Sequence, residues 1–230
     1  MLIASFDIGK KNFAFVVERV DECRLINSIP LYPKRGKRTR VEFETFLEEV
    51  VFPSSEIVLH KNLDLTQHDF CKSNDDTVNR KVANGKGSAS LDHRIFLEMY
   101  RVLDEYSEIW DECEWVLVEQ QMSFGKKVNS MALKLGQHCM SYFIGKYRDT
   151  KKIIEFPSYH KTKVLEAPMK MDKPTRKKWS IDIAFYVLCL RGDYEHAMFI
   201  LSSAKRDDLA DVVIQLQAWK ILYYFEEALL

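Results

Sequence analysis

The order of strand-like and helix-like patterns along the chain constrains its fold more than any other feature. Residues 2–8 and "FAFVVERV" (13–20) have the apolar spacing of strands, and "CRLINSIPLY" (23–32) continues that pattern. These three segments predict an antiparallel meander. Further on, "EWVLVEQ" (114–120) and "KIIEFP" (152–157) are short apolar runs of the kind found in buried strands.

Helical patterns separate and follow the later strands. Apolar residues recur at helical spacing in five segments, which are 40–52, 91–110, 129–147, 177–192 and, in "AKRDDLADVVIQLQAWK", 204–220. Early hairpin strands followed by alternating helices and strands predict an α/β fold. We expect a mixed, five-stranded central sheet with helices on both faces.

The length of 230 residues favours a single domain over residues 1–230. Residues 60–90 are polar, rich in Asn, Asp, Lys and Gly, and without periodicity. They predict a long loop or insertion within that domain.

Composition excludes several classes of protein. No apolar run approaches the roughly 20 residues that span a bilayer. No basic region precedes Asp7, so we expect neither a secretory signal nor a transit signal, and five scattered cysteines fit a reducing compartment. We therefore expect an intracellular protein with no membrane partner and no small-molecule cofactor.

Acidic residues stand at the ends of three predicted elements. Asp7 closes the first strand, Glu119 closes a later buried strand, and three aspartates open the last helix. The carboxyl ends of parallel strands meet at one edge of a sheet, and the last helix can lay its first turn over that edge. Each like-charge pair at roughly 4 Å costs about 4 kcal/mol at an effective dielectric near 20. Such a cluster therefore requires a cation, and Mg²⁺ or Mn²⁺ suits oxygen ligands.

The last helix offers three aspartates, and its helical rotation separates them. With the apolar stripe centred on Leu209, Val212, Val213 and Leu216, Asp208 lies about 90° from its centre and Asp211 about 150°. Asp208 and Asp211 are neighbours at i and i+3. We expect these two to be ligands and Asp207 to be a flanking cap or supporting residue.

Basic residues are concentrated near these positions although the net charge is zero. "FPSYHKTKV" (156–164) provides His160, Lys161 and Lys163, either as an exposed basic loop or beside a scissile phosphate. Two metal ions next to such a cation would catalyse in-line displacement at phosphorus, which is nuclease chemistry. The stretches 34–40 and 169–178 predict solvated loops or phosphate contacts.

Three motifs carry a resemblance to a known family. "SFDIGKKNFAF" (5–15), "VLVEQQM" (116–122) and "KRDDLADVVIQL" (205–216), in that order, resemble the RuvC-type Holliday junction resolvases of the RNase H-like superfamily. The similarity is strongest to the resolvases of poxviruses and other large DNA viruses, and next to the yeast mitochondrial enzymes. It extends from residue 2 to about residue 220.

The resemblance implies an RNase H-like fold, a homodimer, and paired, symmetric, Mg²⁺-dependent nicks across a four-way DNA junction during recombination or replication. It places the acidic tetrad on Asp7, Glu119, Asp208 and Asp211, which would hold two Mg²⁺ ions, with Mn²⁺ as a substitute. The active-site lysine falls on Lys161 or Lys163, with Lys161 preferred. A viral enzyme would act in the cytoplasm or nucleus of an infected cell.

Other interpretations remain open at this point. The same fold could cut other branched DNA or RNA–DNA hybrids, or the chain could bind junctions without catalysis, its carboxylates serving as helix caps. The helix at 129–147 is a candidate dimer interface or packs on the sheet. Phe13, Phe124 and Tyr159 could stack on unpaired bases or belong to the core.

Overall fold

Five strands form one mixed sheet in the computed structural model, which describes residues 1–67, 93–121 and 129–226. The strands are β1 (Leu2–Ile8), β2 (Phe13–Val20), β3 (Ser55–Leu63), β4 (Cys113–Gln120) and β5 (Lys152–Pro157), in the order β3-β2-β1-β4-β5. The first three pair antiparallel, and β4 and β5 continue the sheet parallel to β1. This is the RNase H-like arrangement, so the predicted fold class is confirmed.

Nine α-helices lie in the described part of the chain. They are α1 (Glu22–Asn27), α2 (Arg40–Phe46), α3 (His93–Glu105), α4 (Ser107–Glu112), α5 (Ser130–Tyr147), α6 (Tyr159–Val164), α7 (Lys173–Leu190), α8 (Tyr194–Ser202) and α9 (Arg206–Lys220). A π-helical turn continues α2 over Leu47–Val51, and another continues α9 over Ile221–Phe225. None of these helices is long and apolar enough to cross a membrane.

The sheet has a core on each face, because alternate residues of a strand point to opposite sides. On one face, Ile3 of β1 and Leu117 of β4 pack with α7, α8 and α9. On the other face, Phe6 and Val118 pack with α3 and α5. The predicted helices on both faces are therefore confirmed.

Two predictions about the first part of the chain are wrong. The segment 23–32 is not a strand: α1 occupies its first half, followed by a 3₁₀ turn at Ile29–Leu31. Asp21 caps this helix by accepting a hydrogen bond from the backbone of Arg24. The third strand of the meander is β3 instead, so residues 60–63 belong to the sheet and not to a polar loop.

The later elements follow the predictions closely. The helices expected at 40–52, 129–147, 177–192 and 204–220 are present, and α8 is an additional helix between the last two. The single helix expected at 91–110 is two helices, α3 and α4, separated at Tyr106. The stretch 156–164 contains α6 and is not an extended basic loop. Most of the predicted insertion, together with Phe124, lies outside the described residues.

Candidate active site

Asp7 and Glu119 stand side by side where β1 and β4 end. The two strands are parallel, with Ile3 opposite Trp115 and Phe6 opposite Val118. Continuing this register brings Asp7 next to Glu119. Asp7 is an even number of residues from Ile3, and Glu119 from Leu117. Their side chains therefore point to the same face of the sheet as Ile3 and Leu117, which is the face that carries α9.

The start of α9 brings a third carboxylate to the same place. Leu209, Val212 and Val213 are fully buried against the sheet, which fixes the rotation of the helix. One carboxylate oxygen from each of Asp7, Glu119 and Asp211 can then lie within 4.8 Å of the others. We call these three residues the carboxylate cluster.

Lys161 from α6 contacts this cluster from the side. Its Nζ lies 3.1 Å from Glu119 and 3.2 Å from Asp211, and its side chain is almost fully buried. Burial would lower the pKa of Lys161, but the carboxylates of Asp211 and Glu119 outweigh burial and raise the pKa above its usual value. Lys161 is therefore a fixed cation that offsets part of the negative charge.

Lys161 does not neutralise all of the negative charge, and the pKa values of two of the acids are raised. Burial, followed by the neighbouring carboxylate of Glu119, raises the pKa of Asp7 well above its ordinary value. Burial and the adjacent Asp207 raise the pKa of Asp208 to about 6. Asp208 also has a buried Oδ2 with no hydrogen-bond partner among the described residues. One lysine does not compensate four carboxylates.

A cleft of about 550 Å³ contains these groups. Its acidic side is the carboxylate cluster together with Asp208, and its rim includes Lys173, Arg176 and Lys177 from the first turns of α7. Lys177 forms an ion pair with Asp207, so Asp207 is oriented toward the rim. The sequence had indicated phosphate contacts for this basic stretch, but not this pairing.

The residues fit a divalent cation. The cluster offers only oxygen ligands, which Mg²⁺ and Mn²⁺ prefer, and Asp208 adds a buried oxygen that has no other partner. Asp7, Glu119 and Asp211 could hold one ion, and Asp208 could extend the site to a second.

Some of the predicted site residues lie elsewhere. Lys163 is exposed, with its Nζ 5.9 Å from the ring centroid of Tyr159, and it does not line the cleft. Phe13 is fully buried in the core, so it cannot stack on a base. Tyr159 is 57% exposed at the cleft and remains accessible to a ligand.

The chain thus combines an RNase H-like sheet with an acidic cluster at the carboxyl ends of β1 and β4. Protein 170L of Invertebrate iridescent virus 6 is 33% identical over 247 residues, which cover 98% of this chain and 91% of that protein. Protein 97L of Invertebrate iridescent virus 3 is 32% identical over 223 residues, which cover 95% and 99%. The chain belongs to this family of iridescent virus proteins, both of which are uncharacterized.

Solved structures with a similar arrangement include two proteins in complex with DNA. The fowlpox virus resolvase with substrate Holliday junction DNA has a TM-score of 0.46 and 19% identity, with 100% of both chains covered. Thermus thermophilus RuvC with a Holliday junction substrate has a TM-score of 0.45 and 13% identity, covering 97% of this chain and 95% of RuvC. These proteins are of the class that the three motifs resemble. No protein-family model matches the chain.

Proposed function

We propose that this protein is a metal-dependent endonuclease that resolves four-way DNA junctions by paired, symmetric nicks. The observation that carries this proposal is the convergence of Asp7, Glu119 and Asp211 within 4.8 Å, with Lys161 beside them. Helix capping does not explain this arrangement, because Asp7 and Glu119 belong to strands.

In this proposal the acidic residues hold two Mg²⁺ ions, and Mn²⁺ can replace them. Bound there, the ions supply an activated water and stabilise the leaving oxygen of the cleaved phosphodiester. The ligand oxygens would come from the four carboxylates of Asp7, Glu119, Asp208 and Asp211. Lys161 keeps Glu119 and Asp211 in place and lies close enough to the cluster to stabilise charge developing on the phosphate.

The proposed role of the basic rim is to bind DNA phosphates and not to take part in cleavage. Lys173, Arg176 and Lys177 face the cleft from one side, and cations in this position bind the phosphates that flank the cut. They contribute affinity and orientation without reading base sequence. Their proximity to the acidic side positions the backbone at the carboxylate cluster.

A junction must be cut on two strands, and a C2 homodimer would supply two related sites. The exposed face of α5, which carries Lys134, His138 and Ile144, is the proposed interface. The opposite face of this helix, with Leu135, Cys139 and Phe143, packs on the sheet. With viral relatives, the proposed place of action is the cytoplasm or nucleus of an infected cell.

Cleavage of a labelled mobile four-way junction tests the proposal. The wild-type protein with Mg²⁺ should make symmetric nicks that a ligase can reseal, faster than it cuts a duplex, a flap or an RNA–DNA hybrid. Asp211→Asn should abolish the nicks. Asp182→Asn, an exposed aspartate on α7 outside the cleft, is the matched control and should cleave normally.

Three results would separate the alternatives. Preference for the hybrid or the flap would keep the chemistry and change the substrate. Junction binding without any cleavage by the folded dimer would favour a non-catalytic binding protein. Cleavage that survives Asp211→Asn would contradict the assigned site.

A further inference from the structure

The segment between β2 and β3 carries an exposed basic loop, residues 34–37, that the proposed catalytic site does not use. Lys34, Arg35 and Lys37 are exposed, and none of them has an ion-pair partner within 4.0 Å among the described residues. Gly36 has a φ of 82°, and the backbone N–H of Lys37 donates to the carbonyl of Lys34 at 3.1 Å. The turn therefore presents three cations in four residues.

The base of this loop is firmly attached to the rest of the protein. The guanidinium of Arg38 donates to Glu166 at 2.6 Å and to the Tyr32 hydroxyl at 2.8 Å, and it lies 3.5 Å from the ring centroid of Phe43. Only 4% of the Arg38 side chain is exposed. Arg38 is thus structural, and it fixes the direction in which the three neighbouring cations project.

The base of the loop contacts the end of the last helical segment that lies away from the carboxylate cluster. The Tyr32 hydroxyl, at the base of the loop, donates to Glu226 at 2.8 Å. Glu226 comes about four helical turns after Asp211, at the end of α9 and the π-helical turn that continues it. At the rise of a helix, this separation is roughly 20 Å. Along duplex DNA it corresponds to about six base pairs.

We infer that the basic loop is a second contact for the phosphate backbone of DNA, on a duplex arm about six base pairs from the cut. This inference rests on the proposed function for its choice of DNA as the partner. Exposed cations without protein partners lose little on meeting phosphates, and they gain from the release of counterions. A loop held at a fixed distance from the cleft selects substrates with a duplex arm long enough to reach it.

Two double variants with the same loss of charge test the inference. Arg35→Gln/Lys37→Gln removes one arginine and one lysine from the loop. The control, Arg148→Gln/Lys152→Gln, removes the same two residue types from exposed positions at the end of α5 and the start of β5. Binding to a four-way junction with arms of about 15 base pairs is measured in EDTA between about 50 and 200 mM salt.

The loop variant should bind on the order of tenfold more weakly at low salt, with a salt slope reduced by about 2. The control should remain within about twofold of wild type. Equal behaviour of the two variants would overturn the inference. So would loss of binding to vesicles of anionic phospholipid with unchanged DNA binding, which would assign the loop to a membrane surface.

The outcome is independent of catalysis, because EDTA prevents cleavage. Loop-dependent DNA binding by a protein that never cuts with Mg²⁺ would contradict the proposed function and leave the basic loop as a DNA contact. Normal cleavage together with DNA binding that does not depend on the loop would support the proposed function and contradict the inference about the basic loop.

Discussion

The side-chain amide of Gln215 donates a 3.1 Å hydrogen bond to the hydroxyl of Ser5, and both side chains are buried between α9 and β1. Ser5 lies two residues before Asp7 on the same face of its strand, and Gln215 follows Asp211 by about one helical turn. This bond therefore fixes the helix against the strand directly next to the carboxylate cluster.

Breaking this bond from one side should be costly. Gln215→Leu leaves the Ser5 hydroxyl buried without a partner, so the free energy of unfolding should fall by about 1–3 kcal/mol. Adding Ser5→Ala should recover much of that loss, because no polar group is then left unpaired. Urea unfolding of the two single variants and the double variant measures the coupling. Strictly additive losses would mean that the two side chains do not depend on each other.

Mg²⁺ should be able to replace the stabilising charge of Lys161 but not its role in cleavage. Lys161→Gln leaves Glu119 and Asp211 without their cation, which should lower the stability of the metal-free protein by about 3–5 kcal/mol. Mg²⁺ should then raise the melting temperature more in this variant than in wild type, since it supplies the missing charge. Thermal unfolding with and without Mg²⁺ measures both effects.

Lys163→Gln is the matched control for this experiment, because Lys163 lies two residues away and is exposed. It should resemble wild type in stability, Mg²⁺ response and cleavage. A greater loss of cleavage in Lys163→Gln than in Lys161→Gln would show that the wrong lysine has been assigned.

The adjacent aspartates of α9 should behave differently. Asp208→Asn changes a buried carboxylate with an unpaired oxygen, and cleavage should fall roughly 10²–10³-fold. Asp207→Asn only removes the partner of Lys177 at the rim, so cleavage should stay within about tenfold of wild type. Single-turnover cleavage at saturating Mg²⁺ compares them. The reverse order would make Asp207 the ligand.

The sequence predicted the carboxylate cluster from two kinds of pattern. The apolar run of β4 made Glu119 conspicuous, and helical rotation on α9 separated Asp211 from the apolar stripe. The resemblance gave only a preference for Lys161 over Lys163. The residue pattern itself does not separate them, because residues two apart in the short helix α6 point in nearly opposite directions and only packing decides which one is buried. The ion pair of Asp207 with Lys177 depends on the approach of α7, which no local pattern specifies.

The fold was predictable where burial is strong and less so at the edge of the sheet. Only His60 among the nine residues of β3 is buried, so this edge strand has no clear apolar alternation. In α1, Leu25 is buried and Ile26 is exposed, an order that also fits a strand. The acidic pair Asp21 and Glu22 at the start of α1 was the local signal for a helix.

A buried ion network at the opposite end of the sheet makes stability depend on pH. Burial alone would raise the pKa of Glu18, but the charges of Arg191 and Lys220, with hydrogen bonds from Arg191 and Ser55, lower this pKa to about 2. A carboxyl group whose folded pKa is lowered stabilises the fold above its unfolded pKa, and this contribution is lost as the pH falls.

Glu18 should therefore contribute about 3 kcal/mol above pH 4.5, and this contribution should disappear between pH 4.5 and about 2. Urea unfolding as a function of pH should show the stability difference between wild type and Glu18→Gln shrinking over that range. Glu56→Gln, which changes the exposed partner of Arg19, should follow the wild-type profile. A difference for Glu18→Gln that is constant with pH would exclude this contribution.

Mn²⁺ binding tests the carboxylate cluster most directly. It is measured from the decrease of the electron paramagnetic resonance signal of the free ion. We predict two bound ions per wild-type chain, unchanged in Asp182→Asn and strongly weakened in Asp7→Asn, because Asp7 is central to the cluster. Circular dichroism should show that all three proteins are folded. No Mn²⁺ binding by wild type, or binding that is the same in Asp7→Asn, would contradict a metal centre at this edge of the sheet.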